Sequence, residues 1–76
     1  MSLVETLELL SKARGYVEQG EQCVLHQREI VDLLEQRGRD PLEAILFLET
    51  LEQMQDAYVA HMDNLERKVL TLVRPE

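Results

Sequence analysis

Apolar residues recur at helical spacing along almost the whole chain. In the first half Leu3, Leu10, Val17, Val24 and Val31 repeat every seven residues, and a flanking row of Leu9, Tyr16, Cys23 and Ile30 widens the stripe. A third row, Ala13, Gly20, Gln27 and Leu34, is mostly small or polar. In the second half, alternating steps of four and three pass through Ala44, Leu48, Leu51, Gln55, Tyr58, Met62, Leu65, Val69 and Leu72. Eight of these nine are apolar, the pattern of a coiled-coil seam.

The punctuation divides the chain once. Gly38 suits the left-handed position past a helix end, and Arg37 and Arg39 sit where the helix dipole favours cations. Asp40 reads as an N-cap, Pro41 as the first helical residue and Glu43 as the acid of a capping box. Ser2-Leu3-Val4-Glu5 is a second capping box, and Pro75 is a stop. The sequence thus predicts one domain, helix 1 over about 3–37, a turn at 38–40 and helix 2 over about 41–73. Each arm is roughly 50 Å long at 1.5 Å per residue. Arms joined so tightly fold back into an antiparallel all-α hairpin.

Folding about the turn pairs residues whose numbers sum to about 79. Val31 then faces Leu48, Val17 faces Met62 and Leu10 faces Val69. Gly20 falls opposite Tyr58, where the missing side chain makes room for the ring. Alternatively, Gly15 and Gly20 mark a bend, each costing about 1 kcal/mol against alanine. Gln27 and Gln55 interrupt the seams. As central amides they set the register by bonding each other or symmetry mates, or else they reach solvent at the bundle edge.

One hairpin cannot use all the apolar surface. Leu9, Leu25, Leu33, Leu46, Phe47 and Met54 lie beside or off the seam, which implies a second contact surface. The simplest closed solution is two hairpins about a two-fold axis, a four-helix-bundle homodimer. The stretch around Ile45, Leu46, Phe47 and Met54 is the place expected to receive a helix from another protein. Length points the same way, because 76 residues rarely stabilise a lone core without a staple. Cys23 is the sole cysteine, so no disulfide can close within one chain.

Charge removes several classes of partner. The net charge of −7, without basic clusters or stacking aromatics, disfavours nucleic acid and anionic membrane surfaces. No stretch reads as a membrane span, and the N-terminus lacks the basic region of a signal peptide. A soluble cytoplasmic protein is expected, in keeping with a lone thiol.

Candidate chemistry is sparse. Cys23-x-x-His26 places a thiol and an imidazole one turn apart, half of a metal site whose complement would be His61 and Asp63. The register leaves His61 on the order of 10 Å away along the axis, so no metal is expected. Cys23 reads as a small packing residue and the histidines as surface groups. His61 lacks the Lys-Gly that usually follows a phosphorylatable histidine; Met62-Asp63-Asn64 follow instead. Glu49, Glu52 and Asp56 read as a solvated face. No catalytic constellation or cofactor motif is present, so the expectation is an interaction or regulatory module. The rival readings are a phosphatase or phosphotransfer regulator of a response regulator, and a metal or redox sensor through Cys23 and His26.

The run Val17-Glu18-Gln19-Gly20-Glu21, then Gln27-Arg28-Glu29-Ile30-Val31, Leu34-Glu35 and Gly38-x-Asp40, continues through Ala44, Leu48, Leu51-Glu52 and His61-x-Asp63. It resembles a group of short uncharacterised proteobacterial helical proteins, over about residues 16–65. The resemblance implies a bacterial origin and a helical hairpin, with no activity to carry over. A weaker likeness is to the sporulation aspartyl-phosphate phosphatases, also short helical hairpins. Their Ser-Gln-Glu-Leu-Asp motif is absent; Glu49-Thr50-Leu51-Glu52-Gln53 is the nearest stretch.

Overall fold

The computed structural model describes residues 1–74, and Pro75, the expected stop, lies outside them. Two helices, α1 (Leu3–Gln36) and α2 (Leu42–Val73), pack side by side with no strand among the described residues. The result is a rod of 61 × 15 × 14 Å. All-helical architecture therefore stands as expected, with boundaries within a residue or so of those read from the sequence.

The ends explain where the helices begin and stop. Ser2 Oγ accepts the Glu5 amide hydrogen at 3.2 Å and donates to the Glu5 carboxylate at 3.0 Å, which satisfies an amide with no partner inside the helix. At the other end Gly38 adopts φ +67, and two reverse bonds close the helix. The Gly38 amide donates to Glu35 O at 3.1 Å and the Arg39 amide to Leu34 O at 2.9 Å, a Schellman arrangement.

The start of α2 differs from expectation by one residue. Pro41 is not the first helical residue but the cap, and its carbonyl accepts the Ile45 amide at 2.9 Å. Asp40 still contributes, its carboxylate accepting the Leu42 amide at 3.0 Å. Pro41 lacks an amide hydrogen, so the Asp40 oxygen has Leu42 as the first N–H within reach. Among the described residues the Glu43 side chain makes no hydrogen bond to the cap, so the box is incomplete.

In α1 the residues turned inward are Leu3, Thr6, Leu10, Ala13, Val17, Gly20, Val24, Gln27, Val31 and Leu34, in unbroken steps of three and four. The small and polar row is thus half of the seam itself. The row expected to widen the stripe lies outside it: Tyr16 is 53% exposed, Leu9 and Cys23 are exposed and Ile30 is half-buried. Ala13 and Gly20 account for this arrangement, because small side chains let two helix backbones close on a narrow seam. Thr6, absent from any apolar pattern, is 0% exposed. Its hydroxyl donates to Ser2 O at 2.8 Å, so burial leaves no unpaired donor.

In α2 the residues from Ala44 to Val69 of the expected seam are at least half-buried, while Leu72 near the end is exposed. The tightest packing joins Leu10, Ala13 and Leu65, with Met62 and Val69 against them. Val69, expected opposite Leu10, packs against the cluster that Leu10 belongs to. α1 continues as helix through Gly15 and Gly20.

Candidate functional site

Two helices in contact leave two edges where the seam opens to solvent, and here the edges differ. On one edge α1 presents Leu7, Arg14, Glu21, Arg28 and Glu35 and α2 presents Ile45, Glu52, Val59, Glu66 and Val73, each at seven-residue spacing. Ion pairs fix their meeting: Arg28 to Glu52 at 3.1 Å and Arg14 to Glu66 at 3.8 Å. Both are solvent-exposed, so each adds less than about 1 kcal/mol. They report position more than stability.

The opposite edge carries Leu9, Tyr16, Cys23 and Ile30 from α1 and Phe47, Met54, His61 and Lys68 from α2. A shallow groove there is lined by Tyr16, Gly20, Cys23, Leu51, Met54 and Tyr58, together with Gln19. Tyr16 and Tyr58 stack across it with ring centroids 5.8 Å apart and an interplanar angle of 20°. Phe47 is 54% and Met54 47% exposed. This is the longer apolar strip of the two.

Charge follows the same division. Glu21, Glu35, Glu52 and Glu66 belong to the first edge, and Glu18, Asp32, Glu49, Asp56 and Asp63 to the rows directly behind it. Against these nine carboxylates stand Arg14 and Arg28, giving −7, the same as the net charge of the chain. The apolar edge and its adjoining rows hold Glu5 and Glu43 against Lys12, Arg37 and Lys68, a balance of +1. The acidic residues thus clothe one flank of the hairpin and leave the other nearly neutral.

The two seam glutamines do not bond each other. Gln27 is buried and its Nε2 donates to Ala44 O at 3.0 Å; Gln55 Nε2 donates to Val17 O at 2.8 Å. Each helix lends an amide to a carbonyl of the other, a reciprocal tie between the backbones. The space at Gly20 is taken by the Gln55 side chain rather than by the Tyr58 ring. A Cβ at Gly20 would overlap Gln55 Oε1 and lie 2.7 Å from its Cδ. That Oε1 is buried and accepts no hydrogen bond from the described residues.

The remaining sequence candidates scatter. Leu9, Phe47 and Met54 share the apolar edge, with Leu33 beside it near the turn; Leu25 and half-buried Ile45 belong to the acidic edge; Leu46 is exposed on the back of α2. Ile45, Leu46 and Phe47 therefore do not form one patch, since successive helical residues point about 100° apart. Cys23 is exposed, not a packing residue of the seam, because its row flanks the seam instead of entering it. His26 and His61 are exposed, and His61 and Asp63 fall on opposite edges. No group of three His, Cys, Asp or Glu side chains that could hold a metal occurs among the described residues.

Sequence reasoning missed the segregation of charge, whose signal was the seven-residue spacing of the acids once the seam rows are known. No helix of the described residues is long and apolar enough to cross a membrane. No protein-family model matches the chain, and neither a curated protein nor a solved structure matches it.

Proposed function

We propose that this chain is a protein-interaction module acting through helix–helix association, in the first place with a second copy of itself. Two hairpins about a two-fold axis make a four-helix bundle. The observation that carries the reading is exposed surface. The folded chain exposes 6006 Å², whereas a compact monomer of 8.9 kDa exposes about 4,800 Å². The rod thus exposes roughly 1,200 Å² more than a compact chain of its mass, surface of the size that association covers.

The size of the core supports the same reading. Leu10, Ala13, Val24, Val31 and Leu65 are the apolar side chains that the hairpin buries, little to offset the ordering of two long helices. Surface left uncovered in the bundle is available to a helix of another protein in a regulatory role. The free Cys23 thiol fits a reducing, cytoplasmic setting.

The test is solution mass by light scattering across micromolar concentrations, with far-UV circular dichroism alongside. The expected result is a particle of twice 8.9 kDa that loses helicity as it dissociates on dilution. A fully helical monomer at every concentration would falsify the proposal.

A further inference from the structure

We infer that two copies meet along the apolar edge, the strip of Leu9, Tyr16, Cys23, Ile30, Phe47 and Met54, and not along the edge that holds the ion pairs. The inference rests on the homodimer reading and specifies its interface.

Electrostatics decide between the edges. Contact through the ion-paired edge would set a flank of −7 against an identical flank of −7 while stripping water from the carboxylates. Contact through the apolar edge brings together flanks of +1 and holds the acidic flanks apart on the outside. A two-fold interface must be self-complementary, and a nearly neutral apolar strip satisfies that condition where an acidic one does not.

The residue types agree. Tyr, Phe and Met are the side chains enriched at interface centres, and Lys, Glu and Asp are depleted there. Tyr16, Phe47 and Met54 are each about half exposed on this edge of the single hairpin. Lys12, Arg37 and Lys68 stand toward its ends and margins, where a polar rim belongs.

Cys23 supplies a probe already in place. It is exposed in the hairpin and lies midway along this edge, so a covered edge protects its thiol. The experiment follows thiol labelling of the unmodified chain with a bulky maleimide as protomer concentration rises, with mass measured on the same samples. At about fifty times Kd, mass action leaves about a tenth of the protomers dissociated, so labelling slows about tenfold. Alongside, Phe47→Glu and Met54→Glu should lower the mass to that of a monomer, while Leu25→Glu on the other edge leaves it unchanged.

A dimer whose thiol reacts at the monomer rate at all concentrations would overturn this interface and leave the homodimer standing. A particle that stays monomeric throughout would overturn both. Should the glutamate variants lose their helices altogether, the thiol kinetics of the unmodified chain still decide the question.

Discussion

Alanine at Gly20 sets two effects of similar size against each other. In a helix interior alanine is favoured over glycine by about 1 kcal/mol. At Gly15, where a Cβ meets nothing within 4 Å, Gly15→Ala should realise that gain and raise Tm by about 4–8 °C. At Gly20 the same Cβ overlaps Gln55 Oε1, so the amide has to swing out. It then gives up its 2.8 Å bond to Val17 O, a loss of about 0.5–1.5 kcal/mol. Oε1, which accepts nothing from the described residues where it is buried, recovers hydration and limits that loss. The two terms nearly cancel, and Gly20→Ala should leave stability within about 0.5 kcal/mol of the parent. In a Gln55→Ala background the obstacle is gone, and Gly20→Ala should again gain about 1 kcal/mol. A double-mutant cycle therefore carries a coupling of about 1 kcal/mol between positions 20 and 55. Urea unfolding at one fixed protomer concentration measures it, since the proposed dimerisation would make the midpoint depend on concentration. Equal gains at Gly15 and Gly20, unchanged by Gln55→Ala, would show that Gly20 makes no room for the amide.

Two further substitutions probe the fold. Leu65→Ala removes a side chain 3% exposed and packed on Leu10 and Ala13; a loss of about 2–5 kcal/mol is expected, enough to abolish most of the helical signal at 25 °C. Its refutation is an unfolding midpoint close to that of the parent. Gly38→Ala forces a side chain onto φ +67, which costs about 1–2 kcal/mol, read as a lower urea midpoint with an unchanged slope.

The second helix was legible because its seam is almost purely apolar, so spacing alone fixed the inward face. The first was legible only in part. Its seam includes Thr6, Gly20 and Gln27, residues that count against burial until their hydrogen bonds and contacts are seen. Leu9, Tyr16, Cys23 and Ile30 look like better core, yet they flank the seam. Apolar periodicity locates a stripe without saying which of two adjacent rows a partner helix covers, and small residues decide that by allowing close approach. Ser2 and Gly38 were readable because each acts on its nearest neighbours in the chain; Asp40 reads one position off, its carboxylate supporting a helix whose cap is Pro41. The destination of the glutamine amides was not, since it depends on the opposite backbone. The division between the edges needed only the acids counted against the seam rows, once those rows were known.

That division also limits growth. A rod only 15 × 14 Å in cross-section that keeps its whole charge imbalance on one flank has a single side suited to self-contact. If the proposed pairing takes that side, the flanks left outward at either edge carry like sign. On that proposal assembly would end at two without any loop or cap to stop it, and the acidic flanks would keep the pairs dispersed at high concentration.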